Sequence, residues 1–141
     1  MNFNEMIETK QIIIKLSVSN VLEAQAFYVE KLGFSVVEEY TINSGGDYGM
    51  DSYVQLNHNG LQGFVALGLF KDIDDPMKPE DAGTVPSFVV KDIDLARDFL
   101  ITQGVDVGGV IENTSDLGYV DRFAFFNDPD NNSLVIRQNM N

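Results

Sequence analysis

The feature that most constrains this chain is an internal repeat. Val18-Ser19-Asn20-Val21-Leu22-Glu23-Ala24-Gln25-Ala26-Phe27-Tyr28 can be laid over Val90-Lys91-Asp92-Ile93-Asp94-Leu95-Ala96-Arg97-Asp98-Phe99-Leu100. Val, Ala and Phe coincide, Asn20 meets Asp92, and apolar meets apolar at Val21/Ile93 and Tyr28/Leu100. After one slipped residue, Gly33-Phe34-Ser35-Val36 meets Gly104-Val105-Asp106-Val107. A self-similar chain folds as copies of one unit that stack on each other, so the repeat sets the fold before any single element does.

Each copy opens with a strand. Ile14, Leu16 and Val18 alternate with Ile13, Lys15 and Ser17, which gives one apolar and one mixed face. In the second copy Phe88 and Val90 alternate with Val85, Ser87 and Val89, and Pro86 suits an edge position or a strand start. Asn20 and Asp92 are good N-caps. Val21, Ala24, Phe27, Tyr28 and Leu32 recur at helical spacing, as do Ile93, Ala96, Phe99 and Leu100. Gly33 and Gly104 end the two helices. Three strands follow in each half, at Phe34–Tyr40, Tyr53–Asn57 and Gly63–Phe70, then at Val105–Glu112, Val120–Asn127 and Ser133–Arg137. Asn59-Gly60 signals a hairpin turn, and Ser44-Gly45-Gly46 a flexible loop. Residues 71–83, with Pro76 and Pro79 among acids, read as a linker between repeats at about 10–70 and 84–138. The expected class is α+β: one domain of two βαβββ repeats, each a mostly antiparallel sheet with a helix outside. Each sheet has one uncovered face, so the two should close on a groove.

Composition narrows the partners. Of 141 residues 44% are apolar, ten of them Phe, enough for a core. A net charge of −13 repels nucleic acid and anionic lipid. No apolar run is long enough to span a membrane, and the N-terminus lacks the pattern of a signal peptide. No cysteine is present, which excludes disulfides and thiolate sites and fits a cytoplasmic protein.

Val18-Ser19-Asn20-Val21-Leu22-Glu23-Ala24, with Phe27-Tyr28 and Leu32-Gly33-Phe34, resembles the first-helix signature of the vicinal oxygen chelate superfamily. That superfamily includes glyoxalase I, extradiol dioxygenases, and fosfomycin and bleomycin resistance proteins. Asp128-Pro129-Asp130-Asn131-Asn132 is similar to its closing turn, with Asn131 where Gly is usual. Asn tolerates the left-handed backbone that Gly would supply. The same residues start like a calcium loop, but Ser133 and Asn139 stand where that loop needs Gly and Glu.

The resemblance implies four metal-ligand positions, and these fall on Ile13, Gly68, Val85 and Val135. None carries a donor of the kind a divalent metal needs. The only histidine, His58, sits in a predicted turn and reads as solvated. Glu38, Glu39, Asp51 and Glu112 read as a solvated acidic strand face rather than a substitute cluster. No nucleophile–base set, phosphate loop or dinucleotide fingerprint is present, so no catalytic residue, metal or cofactor is expected.

Strand parity places Ile13, Lys15, Ser17, Phe64, Gly68, Val85, Ser87, Val135 and Arg137 on the groove, with Tyr53, Gln55 and Phe126 as further lining. An inward Lys or Arg needs an anionic partner or water. Arg122 reads as a surface ion-pair partner. The expected function is metal-free binding of a small drug-like or metabolite ligand, for sequestration or sensing. The resemblance implies a homodimer. Two alternatives stay open: a glyoxalase- or dioxygenase-like metalloenzyme with ligands elsewhere, and an interaction module with a collapsed groove.

Overall fold

A computed structural model of the chain describes residues 2–7, 11–42 and 47–141, with the backbone alone at residue 42. The expected Ser44-Gly45-Gly46 loop lies outside the described residues. The chain divides into two compact units, residues 1–74 and 75–141.

In the first unit, β1 (Ile12–Val18) is followed by α1 (Val21–Ala26), which widens into a π turn over Phe27–Lys31. Then come β2 (Ser35–Ile42), β3 (Tyr53–Asn57) and β4 (Val65–Lys71). The sheet order is β1-β4-β3-β2, with β1 parallel to β4 and the other pairs antiparallel. The second unit repeats this with β5 (Ser87–Val89), α2 (Ile93–Thr102), β6 (Ile111–Thr114), β7 (Val120–Asn127) and β8 (Ser133–Asn139). Its order is β5-β8-β7-β6, again with one parallel pair. This is the α+β architecture of paired βαβββ units that the repeat predicts.

The caps work as their chemistry requires. The Asn20 side chain accepts from the Leu22 and Glu23 amides, and Asp92 accepts from Leu95. Gly33 and Gly104 take φ of +79° and +85° where the helices end, a region glycine enters without steric cost.

Each core lies on the helix side of its sheet. Leu16, Val18, Val54, Leu56, Leu67 and Leu69 bury with Val21, Ala24 and Tyr28 from the first helical segment. Tyr28 packs edge-on against Phe27 and Phe34 at 5.2 and 5.9 Å between ring centroids. In the second unit Ala124, Phe126, Leu134 and Ile136 bury with Ile93 and Leu100.

Two local expectations change. The strand expected over Val105–Glu112 begins only at Ile111. Val105 and Val107 are buried, Val107 bridges Phe126, and the Gly108 amide donates to the Phe125 carbonyl at 2.8 Å. Gly108-Gly109, favouring no strand, then lets the chain leave the sheet. The Asn59-Gly60 hairpin turn is a 3-10 turn over Asn59–Leu61, followed by Gln62 at φ +54°. Pro86 meets the edge expectation: it precedes edge strand β5, and its carbonyl accepts from the Val135 amide at 3.0 Å. Among the described residues, no helix is long and apolar enough to cross a membrane.

Candidate functional site

A sheet whose helix covers one side leaves its other side for chemistry, and alternation decides which side chains stand there. In the first unit Lys15, Gly68 and Gln55 form one cross-strand row, because Lys15 pairs with Gly68 and Gly68 with Gln55. Ile13 and Ala66 form the row on one side, and Ser17, Phe70 and Tyr53 the row on the other. Ile13, Lys15, Ser17, Tyr53, Gln55 and Gly68 therefore share the open face. Phe64 lies just before β4, exposed, its carbonyl accepting from the Ile12 amide.

The centre of this face is tightly built. A Cβ placed on Gly68 would lie 2.7 Å from the Tyr53 hydroxyl oxygen and 3.0 Å from its ring, closer than side chains tolerate. A larger residue at this position would have to displace the Tyr53 ring. Lys15 Nζ lies 5.8 Å from the Tyr53 ring centroid and 5.9 Å from that of Phe70, within cation–π range. Burial pushes the Tyr53 phenol above the ordinary tyrosine value. Gln55 is only 4% exposed and its side chain has no hydrogen-bond partner among the described residues, where no fully buried side-chain nitrogen or oxygen lacks one. Its amide is therefore the part of Gln55 that still reaches solvent. Ser17 donates to Asp72 at 3.0 Å.

The second unit carries Ser87, Val135 and Arg137 on its open face, while Val85 lies two residues before β5, outside the strand, with its carbonyl accepting from the Ser87 hydroxyl at 3.4 Å. Ser87 pairs with Val135, and Val135 with Phe125. Phe126 is a correction: it pairs with buried Leu134, is itself 2% exposed, and belongs to the helix side. The aromatic residues on the open face are Phe123 and Phe125, edge-on at 5.6 Å. Arg137 finds its anion within the chain, with Nε 2.9 Å from Asp121 Oδ2 and also donating to Asn139 at 3.0 Å. Asp121 was not singled out from sequence, since its place beside Arg137 depends on the β7/β8 register. A pocket of about 620 Å³ lies in this unit, lined by Asn113, Tyr119, Asp121, Arg137 and Asn139 among others. Arg122 pairs with Asp94 at 3.4 Å, as an ion pair in water would.

His58 is not simply a solvated turn residue. Its Nδ1 accepts from the Gly60 amide at 2.9 Å, Nε2 donates to the Leu32 carbonyl at 2.7 Å, and its ring packs on Phe34 at 4.8 Å. It ties the end of the first helical segment to the β3–β4 turn. Asp128 has an internal task as well. Its carboxylate accepts from the Asp130 and Asn132 amides and the Asn132 side chain, all within 2.9 Å. Asn131 supplies the positive φ, +64°.

The four positions implied for a metal do not fit one. Ile13, Val85 and Val135 offer hydrocarbon, and Gly68 has no room for a donor beneath Tyr53. Glu38, Glu39, Asp51 and Glu112 are exposed, and no group of three or more His, Asp or Glu gathers among the described residues.

Comparison with known proteins agrees with this architecture. The family model for the Glyoxalase/Bleomycin resistance protein/Dioxygenase superfamily matches residues 10–136. The uncharacterized protein YwkD of Bacillus subtilis (strain 168) is 32% identical over 121 residues, covering 83% of this chain and 87% of that protein. A glyoxalase family protein from Enterococcus faecalis superposes with a TM-score of 0.64 at 28% identity, covering 92% of this chain and 96% of that one. TnmS3, an antibiotic binding protein from Streptomyces sp. CB03234, has the same fold, with a TM-score of 0.64 at 24% identity and coverage of 94% and 97%.

Proposed function

The chain belongs to the Glyoxalase/Bleomycin resistance protein/Dioxygenase superfamily, and within it we propose that this protein binds a small molecule on its open sheet faces without a metal, by sequestration or sensing. The observation that carries this reading is the Tyr53 hydroxyl standing 2.7 Å from where a Gly68 side chain would begin. A ligand-binding face lined by Ile13, Phe70 and Tyr53, with Lys15 and Gln55 as polar groups, has the mostly apolar and sparsely polar character of small-molecule sites. The antibiotic binding protein of the same fold supports binding as a use of this architecture, at the level of analogy.

Calorimetric titration of the chelator-treated protein with Fe²⁺, Mn²⁺, Ni²⁺ and Zn²⁺ tests the metal-free claim. The expected result is no stoichiometric uptake. One ion bound per chain at micromolar affinity or tighter would defeat it. Homodimerisation is part of the proposal. Ile12 on edge strand β1 and Val89 on edge strand β5 are exposed apolar residues that a second copy would cover. Sedimentation at micromolar concentration should give twice the mass of the chain, and a monomer throughout would remove this part.

A further inference from the structure

Resting on that reading, we propose that the Lys15–Gly68–Gln55 row is a carboxylate subsite, so that the ligand is a planar, largely apolar acid. Three observations meet at one spot. Lys15 and Gln55 flank Gly68 on the two neighbouring strands, so each backbone lies about 4.8 Å from it. The Tyr53 hydroxyl stands over the same glycine. Gln55 is nearly buried, and its solvent-reaching amide has no partner among the described residues.

The chemistry of each group fits an anionic oxygen. An ammonium held over ring faces keeps its N–H bonds available to an acceptor. Among the described residues Lys15 has no carboxylate within ion-pair distance, although acids outnumber Lys and Arg by 22 to 9 in the sequence. Its counterpart in the other unit is Ser87, and the open-face cation there, Arg137, is already paired with Asp121. The Gln55 amide donates, and so does the Tyr53 phenol. Together they offer one positive charge and two neutral donors, which balances one negative charge. A dianionic phosphate would bring a second charge to a protein of −13. Phe70 and Ile13, in the two flanking rows, give a flat apolar body a surface to lie on.

The test is amide-detected NMR titration of the full chain with four matched probes: naphthalene-2-carboxylate, its carboxamide, 2-naphthylmethylammonium and 2-naphthyl phosphate. The carboxylate should move the Gly68 backbone and Gln55 side-chain resonances saturably. It should bind about tenfold tighter than the amide, the ammonium compound and the phosphate, the scale of one charge-assisted hydrogen bond. Lys15→Gln should abolish that preference, Lys15→Arg should retain it, and Lys78→Gln, the same charge change elsewhere, should leave it intact. Equal binding of carboxylate and carboxamide overturns the carboxylate subsite while leaving small-molecule binding in place. Tighter binding of the phosphate overturns it too, as does a preference that survives Lys15→Gln, or no response of either resonance to any probe. Failure of the metal-free reading is seen separately, in the metal titration.

Discussion

The two open faces occupy equivalent places in the repeat and differ in kind. Lys15–Gly68–Gln55 stands where Ser87–Val135–Phe125 stands in the second unit, and Tyr53–Phe70 where Phe123–Arg137 stands. One row sets a cation and an amide around a glycine, and the other sets a serine and a phenylalanine around a valine. The helix-facing sides show no such split. Leu16/Phe88, Leu56/Phe126, Leu67/Leu134 and Leu69/Ile136 are apolar in both units. The demand of a buried core is the same in each copy, so those positions keep their character. The open face answers to whatever sits on it, and there the copies have diverged.

The largest effects should come from the side where the copies agree. Leu69→Ala and Ile136→Ala, at 0% and 4% exposure, should each cost about 2–5 kcal/mol in urea unfolding, the range for truncating a well-packed residue. Costs that differ several-fold would break the equivalence of the two cores. Next comes Gly68→Val, which writes the second unit's residue into the first. The collision with Tyr53 should cost about 1–3 kcal/mol and remove naphthalene-2-carboxylate binding. Adding Tyr53→Ala should recover part of the stability but not the binding, and a purely additive double mutant would refute the collision.

A smaller effect is expected at Asp121→Asn, which unpairs Arg137. Arg137 is 47% exposed, so the ion pair should contribute about 0.2–1 kcal/mol, and less at high salt. The informative outcome is binding. With Arg137 released, the second face should gain weak affinity for the same carboxylate, seen as new shifts at the Phe123 and Phe125 amides. No gain would mean that the charge state of the face is not what separates the units.

The frame of the fold was legible in the sequence because it repeats and because its signals are local. Asn20 and Asp92 announce helix starts by their own chemistry, and the Ile14/Leu16/Val18 alternation declares which way β1 faces. Phe123-Ala124-Phe125-Phe126 could not be read that way. Apolar residues occupy both parities, and only pairing with β8 puts Phe126 with Leu134 inside and Phe125 with Val135 outside. The same limit hid the Arg137–Asp121 pair, Tyr53 over Gly68, and His58 bonded to Leu32, 26 residues away. Each depends on register or on a contact between elements, which no local window contains. Half of the candidate site was thus visible as a list of residues on one face. Its organisation around Gly68 was not.

The mildest difference between the faces is an ionisable hydroxyl, present at Tyr53 and missing at Phe123. Burial raises the Tyr53 phenol above its ordinary 10.0, and burial does the same to Tyr48, whose hydroxyl donates to Gln25 Oε1. The neutral phenol is the form that the folded state favours, so the folded chain holds these protons more tightly than the unfolded one. Their contribution is therefore complete below the unfolded value and is lost as pH rises through the folded one. In a phenolate absorbance titration, part of the signal from the five tyrosines should appear late, and Tyr53→Phe should remove some of that late fraction. The stability of Tyr53→Phe should also fall less steeply in alkali than that of the parent. Phe123→Tyr sharpens the comparison, because that ring lies on the other face with no glycine beneath it. If its added hydroxyl titrates as late as Tyr53, partial burial on a sheet face alone sets the value, and the close approach to Gly68 does not.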